Sequence, residues 1–350
     1  MATYICWSMN TNILNQISAA WGWRDAAVVS VGNGLINTTW KINETGGEWL
    51  LQRVNTMVFP KPEIIAANLQ LISQFLTAQE TDYLFTAPIK DVSGNSLVKV
   101  NEDIYRVFRW IGGTHTVHSV DSPALAESAA ECFGNFTHRL RNFPANHLRE
   151  TLSGFHDLAW RYNQMETAIR EGDVHRIHET NELIDVLRSK KSLVLQYEKL
   201  SLHSEVRKRV FHHDTKISNV LLNELNRAIA VIDLDTVMPG FFVSDIGDMF
   251  RTYVCPVTEE ETNLDNICVR REYRDAIVRG YLNAMGNELT GMEKDHLYFG
   301  GEMLIYMQAL RFLTDYLQRD IYYGSRYPGQ NRDRAANQTR LLLLFQESLR

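Results

Sequence analysis

The sequence predicts an α+β chain in two lobes: a small antiparallel β-sheet with one helix, followed by a larger, mainly helical lobe. Three observations predict it. Short alternating segments crowd the chain before residue 111, helical periodicity dominates from Pro123 onward, and Gly112-Gly113-Thr114 loosens the chain between them. The boundary falls there, giving a first lobe over residues 1–111 and a second over 112–350. With 350 residues and 45% hydrophobic content, the chain is long and apolar enough to bury two such cores.

A helix is expected over Thr11–Ala20. Strands follow at Ala26–Val31 and Thr38–Ile42, with Gly32, Asn33 and Gly34 forming the hairpin turn between them. A third strand runs over Trp49–Val54. Pro60-Lys61-Pro62 then introduces a helix in which Ile64, Ile65, Leu69, Ile72 and Phe75 recur at helical spacing. Ser96–Val100 and Ile104–Trp110 complete the sheet. Beyond the boundary, helices are expected over Ala124–Leu140, Trp160–Glu171 and Thr180–Leu200, then a strand-loop-strand block near 209–234, then three or more further helices. The polar stretch Val257–Asn266 reads as a surface insertion.

Composition excludes several functions. The net charge of -6, with no basic run longer than Lys190-Lys191, offers no field for a nucleic-acid backbone. Cys6, Cys132, Cys255 and Cys268 are too scattered for a zinc or redox pair, which suits a reducing cytoplasm. Met1–Gln16 is too polar for a signal peptide, and the apolar runs are too short to span a bilayer, so no membrane partner is expected.

The chemistry is concentrated in Val210-Phe211-His212-His213-Asp214-Thr215-Lys216-Ile217-Ser218-Asn219, a His-x-Asp-x4-Asn frame among apolar residues. Beyond it, the strand-like Ala228–Val231 leads into Ile232-Asp233-Leu234-Asp235. An isolated loop Asp or Asn commonly just caps a turn. The combination is what phosphoryl transfer requires: Asp214 to orient the hydroxyl and accept its proton, and Asn219 with Asp233 as oxygen ligands for Mg2+. Asp235, two residues on, is a further metal candidate.

These motifs resemble the aminoglycoside phosphotransferase and choline kinase superfamily, which implies a bilobal, protein-kinase-like fold and ATP as phosphoryl donor. Asp214-Thr215-Lys216, Ala230–Gly240 and Asp245-x-Gly247-Asp248-x-x-Arg251 are similar to the N-acetylhexosamine 1-kinases within it. So are Gly32–Thr39, Leu51–Asn55, Phe155-His156 and Leu310–Leu317. The implied reaction is phosphorylation of the anomeric hydroxyl of N-acetylglucosamine or N-acetylgalactosamine. The chain departs from the subfamily at Leu35, where a His is expected.

In the first lobe, Gly32 and Gly34 would let backbone amides approach the phosphates, with Asn37 and Thr38 adding hydrogen bonds. Arg53 stands where protein kinases keep a phosphate-binding Lys, and a guanidinium suits that task. The helix after Pro62 offers it no mid-helix carboxylate, holding Ala66, Ala67 and Asn68 instead. The segment from Phe108 to Trp110 lies where the nucleotide base would be read. The resemblance makes Asp245 a structural brace of the catalytic loop and His212 a residue that holds its shape. It also makes Arg311, Tyr322 and Tyr323, with His156, the acceptor contacts, Arg311 and Asp315 sharing a helix face. Other acceptors in the superfamily are choline, homoserine, an aminoglycoside or another sugar; a catalytically inactive binding module is the rival from a different class.

Overall fold

A computed structural model of the chain describes residues 9–31, 36–79 and 82–350. Its residues divide into two units. One comprises the chain up to Thr114 with Asn146–Leu152 and Ile232–Val237; the other holds His115–Ala145, Ser153–Val231 and Met238–Arg350.

In the first unit, α1 (Thr11–Trp21) starts at Asn10, whose side chain accepts the Asn12 N–H, and stops at Gly22, which takes φ 70°. After β1 (Ala27–Ser30) come β2 (Thr38–Glu44) and β3 (Gly47–Val54), joined by a tight turn. There the Glu44 carboxylate accepts the N–H groups of Gly46 and the Trp49 indole. Helix α2 (Pro62–Ala78) opens on Pro62, where a missing N–H is harmless. Strands β4 (Val98–Val100) and β5 (Asp103–Arg109) complete an antiparallel sheet of order β1-β2-β3-β5-β4. Trp40, Ile42, Leu51, Tyr105 and Val107 cluster with Ile17 of α1 in one core, so α1 adds a second helix to this unit. Cross-strand register puts Thr39, Lys41, Leu50, Gln52, Arg106 and Phe108 on the opposite face. The expected turn at Gly32, Asn33 and Gly34 lies outside the described residues.

After the short β6 (Thr114–His115), the second unit begins with α3 (Pro123–Arg139), capped by Ser122, and α4 (Leu158–Glu171), capped by Asp157. Next come α5 (Val174–Glu179), α6 (Asn181–Ser189) and α7 (Ser192–Ser201). The single helix expected over Thr180–Leu200 is thus two. The break falls at the lysine pair: Lys190 and Lys191 donate their N–H groups to carbonyls three residues back, while Lys190 Nζ reaches Gln346 and Lys191 Nζ lies over the Tyr162 ring. Strands β7 (Arg209–Phe211), β8 (Val220–Asn223), β9 (Ala228–Val231) and β10 (Met238–Gly240) form two antiparallel pairings, β7 with β10 and β8 with β9. Helices α8 (Val243–Tyr253), α9 (Arg271–Met285), α10 (Gly291–Asp295), α11 (Leu297–Leu317) and α12 (Gln330–Ser348) follow. The Val257–Asn266 stretch is not a loose insertion. Glu260 pairs with Arg334 and Arg326, and Asn337 donates to the carbonyls of Thr258 and Glu261, tying the loop to α12. Among the described residues no helix is long and apolar enough to cross a membrane.

Glycines set how closely α3 and α9 approach. A Cβ on Gly280 would lie 2.1 Å from the Glu127 carbonyl oxygen, and one on Gly134 would lie 2.8 Å from the Ala284 Cβ. Neither helix can yield at a backbone contact without moving bodily. Gly280→Ala is therefore expected to destabilise the fold by about 1–3 kcal/mol despite its better helix propensity, measured as a lower midpoint in urea unfolding.

Candidate active site

The loop carrying Asp214 leaves β7 and enters β8 through a 3-10 turn at Ile217–Asn219. Such a loop forfeits sheet hydrogen bonds, and buried N–H groups need other acceptors. Helix α8 supplies them. Asp245, fully buried in its first turn, accepts the N–H groups of His212 (3.1 Å) and His213 (2.8 Å). One turn on, Asp248 accepts the Thr215 N–H at 2.8 Å. The Thr215 hydroxyl donates to the Asp245 carbonyl, and the Tyr253 hydroxyl donates to the Thr215 carbonyl at 2.6 Å. Burial pushes the Asp245 carboxyl up to about 6, against the pull of His212 and the two N–H donors.

Glycines and histidines complete the loop's shape. His213 sits at φ 67°, a conformation that costs a non-glycine residue about 1–3 kcal/mol and persists where surroundings enforce it. A Cβ on Gly240 would lie 2.3 Å from the His213 ring, so only glycine leaves that ring its place. Gly247, the glycine of the Asp-x-Gly-Asp motif, has a different task. A Cβ there would lie 2.3 Å from the Gly300 carbonyl oxygen, so it lets α8 sit directly on α11. His212 is buried edge-on against Phe133 and Phe136 and accepts the Asp214 N–H at Nδ1.

Asp214 Oδ2 accepts from Lys216 Nζ at 2.8 Å and from Asn219 Nδ2 at 3.1 Å. Oδ1 has no protein donor among the described residues. Burial raises the carboxyl's pKa, but the charge and hydrogen bond of Lys216, with His212 and Arg251, more than offset it, and the net shift is downward. Asp214 is accordingly a carboxylate with one open oxygen. Asn219 gives Nδ2 to both the side chain and the backbone carbonyl of Asp214, which turns its Oδ1 away as an oxygen donor. Lys216, which sequence reasoning did not single out, is the cation beside this carboxylate, and its place two residues after Asp214 was the available signal.

In the first unit, Asp233 adopts φ 59°, ψ 57° just before the turn Leu234–Thr236. Amide and carboxylate oxygens of the Asn219 and Asp233 type are the donors magnesium prefers. Asp235 is bound otherwise than expected. Arg106 grips its two oxygens at 2.5 and 2.9 Å and Asn37 Nδ2 donates to it at 2.8 Å, so both oxygens are engaged by protein donors. Asn37 also accepts the Asn55 N–H, which engages both ends of the amide expected to reach phosphate. Arg53 lies in register with Thr38 and Tyr105, on the sheet face that carries Leu51. It contacts Asp103 at 3.5 Å and the Thr38 hydroxyl at 3.3 Å. A strand's side-chain period of two sends Arg53 and Gln52 to opposite faces, so Arg53 does not share the face of Arg106. Phe108 is buried under the Arg106 guanidinium, and Trp110 lies beneath Lys41 Nζ, 4.7 Å from its ring centre. Gly32 and Gly34 lie outside the described residues.

Three of the acceptor candidates, Arg311, Tyr322 and Tyr323, line one pocket of the second unit together with Arg161, Gln164 and Asp315 among others; His156 is not part of that lining. The Arg311 guanidinium lies 5.3 Å from the Phe155 ring centre, 5.5 Å from Tyr323 and 5.9 Å from Tyr322. It does not pair with Asp315. That carboxylate instead accepts the N–H groups of Tyr322 and Tyr323 and the Asn331 amide, fixing the tyrosine turn. Arg161, absent from the sequence expectations, bonds Gln164; burial and the Arg311 charge bring its pKa down to about 10, so it stays cationic at neutral pH. Among the described residues neither arginine has a carboxylate at ion-pair distance. His156 stacks on Phe155 and stands 3.5 Å from His213, with burial, His213 and Arg311 holding it neutral.

The family model described as phosphotransferase enzyme family (APH) matches residues 27–293. Among solved structures, the chain is similar to the microcompartment-associated aminopropanol kinase, with TM-score 0.64 and 16% identity over 97% of this chain and 98% of that one. An aminoglycoside phosphotransferase from Alicyclobacillus acidocaldarius subsp. acidocaldarius DSM 446 gives 0.63 and 13% over 97% and 96%. Choline kinase from Cryptosporidium parvum Iowa II gives 0.59 and 14%, also over 97% and 96%. At such identities the likeness shows a shared fold: a small antiparallel-sheet lobe and a larger helical one.

The loop's dependence on α8 is testable through Asp248, which is buried and also pairs with Arg251. Asp248→Ala removes the acceptor for Thr215 and one of two carboxylates around Arg251, Glu259 remaining. Breaking a buried pair from one side costs about 3–5 kcal/mol, and the surviving partner puts this variant near 3, read as a loss of unfolding free energy in urea.

Proposed function

The chain belongs to the phosphotransferase enzyme family, and on that premise we propose that it is a kinase transferring the γ-phosphoryl group of ATP to the anomeric C1 hydroxyl of an N-acetylhexosamine. The motifs around Asp214, Asp233 and Asp245 support this reading by their resemblance to that class. The observation that carries the choice of acceptor is the pair of guanidiniums, Arg161 and Arg311, lining an aromatic pocket in which neither is paired with a carboxylate among the described residues, and whose lining carboxylate, Asp315, is occupied by the Tyr322 and Tyr323 N–H groups and the Asn331 amide. A quaternary ammonium or polyamine needs the reverse, aromatic faces with negative charge beside them. A neutral sugar fits better: its hydroxyl and acetamide oxygens accept from guanidinium N–H groups while its ring lies on aromatic surfaces. The same arginines also suit an acceptor bearing a carboxylate or phosphate, which is the second reading.

In the proposed mechanism, the open Oδ1 of Asp214 receives the hydroxyl proton, and Lys216 with Asn219 holds the carboxylate in place through Oδ2. The transfer passes through a loose transition state, so the proton moves late and the protein contributes mainly positioning and charge. Asn219 and Asp233 are the proposed oxygen ligands of Mg2+, which when bound neutralises charge on the phosphates. The turn after Asp233 is tied through Asp235 to Arg106 and Gln52, which holds the segment carrying that ligand against the sheet.

The test is a screen of acceptors with ATP and Mg2+. Free N-acetylglucosamine or N-acetylgalactosamine should be phosphorylated and their O1-methyl glycosides should not; choline, ethanolamine and aminoglycosides should be inert. Phosphate transfer to the methyl glycoside or to choline would overturn the assignment. Arg311→Ala should lower kcat/KM for the sugar about thirtyfold, the loss of a charged hydrogen bond of about 2 kcal/mol, with KM for ATP nearly unchanged.

The pH profile gives a separate check on the base. Asp214 must be ionised to accept a proton, so activity falls as pH drops through its lowered pKa. Lys216→Met removes the cation that does most to depress that pKa, and the acid limb of kcat/KM should move to higher pH. Asp214→Asn should abolish most turnover while nucleotide affinity stays within a few fold of the parent.

A further inference from the structure

The expected metal candidate Asp235 and the unpredicted Arg106 form the most buried ion pair in the first unit, with side chains 2% and 3% exposed. Arg106 stands on β5, where its Nε and Nη2 also donate to Gln52 Oε1 on β3 at 3.0 and 2.8 Å. Gln52 in turn donates to the Thr39 hydroxyl of β2. Asn37, held by the Asn55 N–H, closes on Asp235 from the start of β2. The turn Leu234–Thr236 is therefore anchored to three adjacent strands through one carboxylate. Its far end is anchored as well: Asn68 of α2 donates to the Val237 carbonyl at 3.3 Å.

Asp233 precedes this anchored turn in a left-handed conformation that is uncommon outside glycine, though aspartate adopts it more readily than most residues. A single residue, Leu234, separates the clamp from that position, so rotation at Asp235 is passed to the direction of the Asp233 carboxylate. A planar guanidinium with its four donors committed at fixed angles is suited to suppress such rotation, and an ammonium is not.

We propose that Arg106 is a positioning residue for the metal ligand Asp233, acting through Asp235. The proposal rests on the reading of Asp233 as a magnesium ligand. Arg106 touches neither metal nor phosphate in this role; it sets the aim of the residue that does. Partners that orient a metal ligand in this way commonly carry ten- to hundredfold of the metal affinity.

The test measures binding of Mn2+, an oxygen-seeking stand-in for Mg2+, by electron paramagnetic resonance in the presence of ADP, alongside thermal unfolding. Arg106→Lys keeps the buried charge but loses the fork. The double variant R106M/D235L removes both charges, an exchange that well-packed apolar residues generally tolerate without loss of stability. Both should bind Mn2+ about tenfold more weakly than the parent, while ADP affinity without divalent metal is unchanged. A merely structural pair would lower the melting temperature of R106K and leave its Mn2+ affinity intact. Parent-like Mn2+ binding in either folded variant overturns the proposal. Asp233→Ala separates the two levels of inference: if it also binds Mn2+ like the parent, Asp233 is not the ligand and the proposal falls with that reading; if it loses Mn2+ and R106K does not, only the role of Arg106 is refuted.

Discussion

The Asp245 carboxylate is the acceptor on which the catalytic loop depends. Two successive N–H groups, those of His212 and His213, point at its two oxygens, and this turns the chain away from β7 and out toward Asp214. Everything downstream inherits that turn. His213 can hold a left-handed backbone because its N–H is already taken, and Thr215 can be caught by Asp248 and Tyr253 because the loop reaches α8 in register. The open oxygen of Asp214 thus follows from a backbone fixed from behind. Preorganisation of this kind keeps reorganisation out of the chemical step.

The parts of this site that were legible in the sequence are those where chemistry imposes a linear spacing. His212, Asp214 and Asn219 lie within one loop, and Asp245 and Asp248 lie one helical turn apart on α8, so short motifs encode their geometry. Arg106 was illegible for the opposite reason. It is an arginine in a strand, ordinarily solvent-facing, and its partner lies 129 residues away. Strand parity sets Arg53 apart from Gln52 and Arg106, since a neighbour one residue away faces the other side. The Arg311–Asp315 spacing permits an ion pair, but Asp315 is drawn to the N–H groups of Tyr322 and Tyr323, which helical periodicity does not reveal. The break between α6 and α7 was hidden because both flanks keep a helical pattern. It arises where two adjacent lysines reach for different partners.

Charge in this protein is almost everywhere answered. Glu293, fully buried, takes the Arg209 fork and the Arg207 N–H; Asp248 and Glu259 share Arg251; Asp235 takes Arg106. Burying such groups is tolerable only because each is paired. Against that background, Arg161 and Arg311 are conspicuous in drawing on amides and aromatic rings instead of carboxylates. Two neighbouring cations left in that condition keep a positive potential in the pocket, which disfavours any ligand of the same sign.

The backbone contact between Gly247 of α8 and Gly300 near the start of α11 has a consequence for how such a protein diversifies. α8 braces the chemistry at one end of this contact, while α11 continues for about three turns, roughly 1.5 Å per residue, to Arg311 and the pocket. The joint is a backbone contact flanked closely by the Ile246 and Leu304 side chains, which leaves it little room to shift when sequences change elsewhere. The two ends of α11 are consequently separable in descent. Substitutions around Arg311, Thr314 and the tyrosine turn can therefore reshape the pocket while the seat at Gly300, and with it the brace behind the Asp214 loop, stays as it is.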